Sequence, residues 1–283
     1  MKNFVVVANE YKDKDFRLSN QIIDYVEQKG GKAKCLVSGV EATKSRQFAV
    51  EDIPKETECI FVLGGDGTLI RSATKVWALN IPVLGVNLGT LGYLCEVEEA
   101  TVFKAIDALM DDEFYIEERM ALTGHDGDNA FSKIALNDIV IHQMGALSIL
   151  SLDVYVNGEF LSNYNADGII IATPTGSTGY NMSAGGPIVD PQGKMIVLTP
   201  INAHNLNSKS IVLSQDAIIE IKLCKRRAQK DEVAQVSFDG DFVKELSVGE
   251  SFIISKAKNN IKICKLNRKS FLEILRKKMA TFN

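Results

Sequence analysis

Residues 59–68 read Cys59-Ile60-Phe61-Val62-Leu63-Gly64-Gly65-Asp66-Gly67-Thr68, and this stretch decides the fold. An apolar run of β-branched and aromatic residues that stops at clustered glycines reads as a buried strand delivering a tight loop. Beyond it, Leu69, Ile70, Ala73, Val76 and Trp77 recur at helical spacing. Strand, glycine turn and helix together aim backbone N–H groups and a helix N-terminus at an anion. The glycines let the backbone approach a phosphate closely. Asp66 is the awkward member, because a carboxylate there repels phosphate unless it holds a metal or takes a proton.

Working outward, residues 4–8 read as a first buried strand. Leu18, Ile22, Ile23 and Val26 mark one face of a helix over 17–28 that stops at Gly30-Gly31. Residues 33–37 form a second strand, and a polar segment over 39–55 leads to the strand 59–63. Residues 81–87 make a fourth strand, and 101–109 another amphipathic helix. Strands alternating with helices imply a Rossmann-like α/β domain with a parallel sheet, over residues 1–115. Ligands bind such sheets beyond the C-terminal ends of the strands. Residues 64–68 and Asn87-Leu88-Gly89-Thr90-Leu91-Gly92 both lie at such ends.

From about residue 114 the pattern changes. Segments 134–142, 149–156, 168–172, 195–198, 218–223, 233–238 and 252–254 are short, β-rich and separated by turns. Asn157-Gly158, between residues 152–156 and 159–161, is a type I′ hairpin signal. Helical periodicity is absent, so residues 116–265 read as an all-β sandwich. Residues 270–279 return to helix, with Phe271, Leu272, Ile274 and Leu275 apolar. A lone terminal helix needs somewhere to bury that face. The C-terminal helix is expected to pack back on the first domain, which 266–283 would join.

Inside the β domain, residues 165–187 break the rhythm. A strand opening with Asp167-Gly168 empties into a loop with the hydroxyls of Thr173, Thr175, Ser177 and Thr178, several glycines and Tyr180. Hydroxyls and exposed N–H groups suit a polyhydroxylated, phosphate-bearing ligand, and Tyr180 offers a ring for stacking. Asn137-Asp138 interrupts another strand with groups able to pair with ribose hydroxyls or a base edge. Plainer readings stand beside these. Glycine turns with an aspartate are often only turns, Asn137-Asp138 alone suits a bulge or strand end, and Tyr180 alone suits packing. His204 fits a structural hydrogen bond as well as a site, while His125 and His142 have no ligand-like spacing and read as non-catalytic.

Composition sets the outer limits. The 283 residues suggest two domains, and 46% hydrophobic with 24% charged residues is ordinary for a globular protein. A formal charge of −4 argues against a nucleic-acid surface. No apolar run reaches membrane-spanning length, and the N-terminal apolar run is too short for a signal peptide. Five widely spaced cysteines, mostly among apolar neighbours, read as reduced core residues of a cytoplasmic protein.

Together these pieces resemble the NAD kinase family, which transfers the terminal phosphate of ATP to the adenosine-ribose 2′-hydroxyl of NAD. The resemblance rests on residues 64–68, residues 87–94, Asn137-Asp138, the segment 167–187, Leu198-Thr199-Pro200-Ile201 with His204, and Phe238-Asp239-Gly240, all in family order. The first motif is shared with diacylglycerol-kinase-like lipid kinases and phosphofructokinases, whereas 167–187 is far more specific. The resemblance implies NAD in a cleft between an α/β domain and a β-sandwich, Mg²⁺ or another divalent cation with ATP as phosphate donor, and a homodimer or homotetramer. Asp66 matches the proton acceptor and Gly67 its neighbour, with Gly64, Gly65, Gly67 and Thr68 in the phosphate loop. Asn137 and Asp138 match a pair that holds the adenosine, and Asp167 an aspartate on the nicotinamide side. Thr178, Gly179, Tyr180, Asn181, Met182 and Ser183 match the loop that wraps the dinucleotide. Tyr93, Thr175, Asn202 and His204 carry over as further positions. The chain departs at Gly179, where alanine is commoner, and at Asn165, where many members have arginine or lysine for a contact to NAD. It departs again at Asp241, where glutamine is frequent, and at Ser148, where some have histidine.

A ribose hydroxyl is a poor nucleophile, so transfer needs positioning, charge neutralisation and a proton acceptor. Asp66 serves as that acceptor or as a Mg²⁺ ligand; the sequence leaves both open. Two other functions remain in view. A lipid or sugar kinase of the same superfamily would keep Asp66, but the hydroxyl-rich loop argues against the lipid version. A catalytically silent NAD(P)-binding sensor would bind NAD without phosphorylating it.

Overall fold

The structure is a computed structural model that describes residues 1–41, 44–46, 48–89, 92–127, 131–144, 149–204, 209–226, 232–266 and 270–280, with backbone alone over 39–41 and 44–46. The chain divides into two units, Met1–Glu118 with Ile261–Asn283, and Arg119–Asn260.

The first unit is built on one sheet, in the order Lys44–Arg46, Lys32–Glu41, Asn3–Asn9, Cys59–Gly64, Val83–Asn87, Ile261–Lys265, Tyr115–Arg119, with Val97–Glu98 also paired to Val83–Asn87. Asn3–Asn9 runs parallel to both neighbours, and so does Cys59–Gly64. Every residue of Cys59–Gly64 and Val83–Asn87 is buried, as expected of strands covered on both faces. Each large apolar side chain so buried contributes about 1.5–3 kcal/mol. The helix Arg17–Gln28 lies where its period places it and buries Leu18, Ile22 and Val26. The buried carboxylate of Asp13 starts it, accepting the N–H groups of Leu18 (2.8 Å) and Ser19 (2.9 Å). Gly30 follows its end with φ +82°. Strand order fixes where a ligand can sit. The chain leaves Asn3–Asn9 for one side of the sheet and returns to the other at Cys59–Gly64, so the ends of these two strands flank the switch point.

One strand, Ile261–Lys265, did not stand out in the sequence, because its partner Val83–Asn87 is supplied by a distant part of the chain. The C-terminal helix Phe271–Ala280 belongs to this same unit, with Lys278 Nζ lying 4.7 Å from the centre of the Tyr93 ring.

The second unit is a sandwich of two six-stranded sheets, whose described pairings are antiparallel. Ile139, Ile141, Ile169, Ile171 and Phe238 of one sheet meet Leu152, Val154, Ile221 and Phe252 of the other in a single core. Asn157-Gly158 forms the expected turn, with φ +53° and +83°. The outer face of the first sheet carries a second apolar cluster, Val140, Ile170, Ala172, Val197 and Ile201 with Val189.

Residues 175–183, expected as a loop, are helical turns. They form a 3₁₀ turn, Thr175–Thr178, followed by one helical turn, Tyr180–Ser183. Hydroxyls three residues along donate back to carbonyls, Ser177 to Pro174 (2.7 Å) and Thr178 to Thr175 (3.3 Å), which tightens the turn.

Candidate active site

In the first unit the site grows from the end of Cys59–Gly64. The helix Asp66–Val76 starts at once, which leaves the N–H groups of Asp66 and Gly67 without a helical partner, while Thr68 N–H donates to Gly65 O at 2.9 Å. Gly64 is glycine for packing: a Cβ there would lie 2.6 Å from Thr68 Oγ1, the hydroxyl that accepts Asn9 Nδ2 at 3.3 Å. Asn9 also turns the chain after its own strand, its Oδ1 accepting Tyr11 N–H at 3.1 Å. That turn delivers Lys12. Its ammonium sits 3.2 Å from where a side chain on Gly65 would begin, and 3.8 Å from the same point on Gly89. A cation between two glycine loops suits a phosphate, and periodicity gave no hint of it.

Asp66 resolves the puzzle of its own position. Its carboxylate turns toward the second glycine loop and accepts three backbone N–H groups, Tyr93 (2.6 Å), Leu94 (3.2 Å) and Cys95 (3.1 Å). Gly92 makes the room, since a Cβ there would lie 1.9 Å from Asp66 Oδ1. Asn87 shapes the same loop through paired bonds to Gly89. Burial and then the charge of Asp66 push the Cys95 thiol up to about 12, against the opposing pull of Lys265 and Lys12. It therefore stays a neutral thiol at physiological pH. Burial and Asp66 raise the Tyr93 phenol as well.

In the second unit, Asn137, Asp138 and Tyr180 line a pocket of about 370 Å³ together with Val140, His142, Ser237, Asp239 and Gly240. His142, set aside on the sequence, faces this pocket; its Nδ1 donates to the Gln143 carbonyl at 2.9 Å. Asp239 organises the place. Its carboxylate accepts the N–H groups of Leu136 (2.9 Å), Asn137 (2.6 Å) and Asp138 (3.3 Å), fixing the bend that presents the pair. Asp239-Gly240 is itself a tight hairpin, φ +50° and +85°, a signal present in the Asp-Gly dipeptide. Burial, then the charge of Asp239, pushes Asp138 up to about 7. Burial raises Asp239 to about 6, opposed by its three N–H donors. The negative charge therefore rests on Asp239, and Asp138 keeps its proton to near neutrality.

The hydroxyls of the specific segment have a different task from the one their number suggested. Thr173 donates to Leu136 O (2.6 Å), Ser177 also to Val189 O (3.1 Å), and Thr175 accepts from Arg119 Nη1 (3.2 Å). Asn181 is fully buried, donating to Ser177 O and Pro187 O and accepting from Thr199. These groups build the scaffold. Glycine leaves the openings: at Gly176 a Cβ would lie 2.1 Å from Asn137 O, and at Gly179 it would lie 3.8 Å from Asn137 Nδ2. Tyr180 and Met182 are exposed, as is Ser183.

Comparison with known proteins now decides the family. The N-terminal domain model of ATP-NAD kinase matches residues 3–114, and the C-terminal domain model matches 136–266. A protein of Agathobacter rectalis named NAD kinase is 66% identical over 283 residues, covering 100% of both chains. The chain belongs to the NAD kinase family. A second NAD kinase, from Lachnoclostridium phytofermentans, is 40% identical with 99% of each chain covered. Two solved structures share the fold. The yeast NADH kinase complexed with NADH superposes with a TM-score of 0.80 at 22% identity, over 99% of this chain and 88% of that one. An Archaeoglobus fulgidus NAD kinase in complex with ATP gives 0.75 at 23%, over 99% of both. The protein is thus an enzyme that transfers phosphate to NAD.

Within this NAD kinase fold the other expected residues fall into a second group, which does not line the pocket. Asp167 Oδ2 accepts Asn202 Nδ2 at 2.9 Å, and His204 N–H donates to Asn165 O at 2.8 Å. Asn165 also donates to Asn163 Oδ1 at 3.0 Å. Asp241 is exposed at the start of its strand. Ser148 lies outside the described residues.

Proposed function

We propose that this chain phosphorylates the adenosine-ribose 2′-hydroxyl of NAD with ATP, giving NADP and ADP. The observation that carries this reading is Asp66, a carboxylate held by three N–H donors beside two glycine loops and Lys12. The 2′-oxygen forms a bond to the γ-phosphorus while the bond to the β–γ bridging oxygen breaks and ADP leaves. In a loose transition state the hydroxyl proton departs late. An oriented acceptor is then what the step needs, and Asp66 takes that proton. Lys12 and the N–H groups opening the helix Asp66–Val76 receive phosphate oxygens. Asn137 and Asp138 take the adenosine, with Tyr180 stacking on a ring of the ligand.

Among the described residues there is no cluster of three or more His, Cys, Asp and Glu able to hold a metal. Mg²⁺ keeps most of its waters and is carried by substrate phosphates with few protein ligands, so the ion in this reading arrives with ATP. It would neutralise triphosphate charge. Five cysteines without disulfides support the cytoplasm as the compartment. Among the described residues no helix is long and apolar enough to cross a membrane. The family resemblance implies a homodimer or homotetramer, which sedimentation would test.

The test of function is direct. Incubation with ATP, Mg²⁺ and NAD, coupled to an NADP-specific dehydrogenase, should yield a steady signal. NAD binding without that signal would favour a silent sensor.

A further inference from the structure

We propose that Lys265 and Glu96 are positioning residues, fixing the peptide that holds Asp66; the inference rests on Asp66 being the proton acceptor. Lys265 ends the strand Ile261–Lys265, the late segment inserted beside Val83–Asn87. It is only 5% exposed. Its ammonium donates to the Leu94 carbonyl at 3.2 Å and stands 3.5 Å from Glu96 Oε2. Glu96 Oε1 in turn accepts the N–H of Leu266, so the returning strand is fastened to the turn at two points.

The geometry of one peptide group carries the argument. The Leu94 carbonyl and the Cys95 N–H belong to the same peptide plane, and in a trans peptide they point in opposite directions. Lys265 holds the oxygen end while the hydrogen end donates to Asp66 at 3.1 Å. A cation on the oxygen polarises the amide and strengthens its donor. Without it, rotation of this peptide would aim a carbonyl at the carboxylate and release Asp66 from its place. A buried ion pair adds little to stability for its desolvation cost, and its best-attested use is to fix one arrangement.

The test is Lys265→Met, Lys265→Arg and Asp66→Asn, singly and with Lys265→Met combined with Asp66→Asn, assayed by NADP formation. Lys265→Met should lower kcat about 10²-fold, the effect of a small misplacement of a reacting group, with KM for NAD changed less than about threefold. Lys265→Arg should restore most of kcat. In the Asp66→Asn background Lys265→Met should cause no further loss, because the two act in series. Amide hydrogen exchange at Leu94 and Cys95, which needs no turnover, should quicken in Lys265→Met. If that variant does not fold, Glu96→Gln takes its place: it weakens the hold on the Lys265 ammonium and on Leu266 while leaving the Leu94 bond, so a smaller loss of kcat with quickened exchange at Leu94 and Cys95 is expected, and wild-type kcat and exchange overturn the proposal. Wild-type kcat in a folded Lys265→Met, or an undiminished loss on top of Asp66→Asn, overturns the proposal. A wild-type chain that makes no NADP would instead sink the functional reading, and the exchange result would still judge the positioning.

Discussion

Replacing Gly92 with alanine should disable the enzyme through Asp66, although Gly92 itself need touch no substrate. The added Cβ would sit 1.9 Å from Asp66 Oδ1 and 2.2 Å from its Cγ, far inside contact distance, so the carboxylate must leave. It then gives up some of its bonds to the N–H groups of Tyr93, Leu94 and Cys95. Hydrogen bonds to a charged group are worth about 1.5–3 kcal/mol each, and losing two costs about 3 kcal/mol after solvation recovers part. That is a loss of stability; the rate falls for a separate reason, since a misplaced reacting group costs about a hundredfold in kcat. The coupled NADP assay reads the rate, and thermal unfolding reads the fold. The stability loss should vanish once the obstacle is removed: Asp66→Ala with Gly92→Ala should be as stable as Asp66→Ala alone, a strong departure from additivity. A Gly92→Ala enzyme within threefold of wild-type turnover would refute the reasoning.

Two further outcomes follow from the same geometry. Asp138 is raised to about 7 against an unfolded value near 3.9, so the folded state holds the extra proton between about pH 4 and 7; its stabilising contribution is complete below pH 4 and lost as pH rises through 7. Asp138→Asn, which cannot ionise, should flatten that decline by up to about 4 kcal/mol between pH 4 and 8, read by urea unfolding; an unchanged slope would count against the buried pair. Lys12→Ala should raise the KM for ATP about fivefold, near 1 kcal/mol for one exposed cation, while Lys12→Arg retains affinity; an unaltered KM would remove Lys12 from the phosphate site.

How much of this was legible in the sequence depended on whether the cause was local. The strand ending at Gly64 and the helix after it follow from runs and period, and Asn157-Gly158 from turn chemistry, so both stood out. The strand Ile261–Lys265 was hidden because only its pairing with Val83–Asn87, far away in the chain, makes it part of the sheet. Thr173 and Ser177 looked like ligand groups because a hydroxyl shows its chemistry and not its partner, and each bonds a carbonyl of the protein. Asp66 shows itself in the sequence, but its three donors and the reason for Gly92 exist only in the folded chain. Lys12 and Asp239 carry no periodic signal. One is placed by Asn9, the other by a two-residue hairpin.

The most direct measurement is NADP formation by the wild-type chain and by Asp66→Asn, each with ATP, Mg²⁺ and NAD, alongside NAD binding by calorimetry. The account predicts sustained turnover for the wild type, and for Asp66→Asn a loss of at least about 10²-fold with NAD still bound. Turnover in Asp66→Asn close to wild type would contradict it.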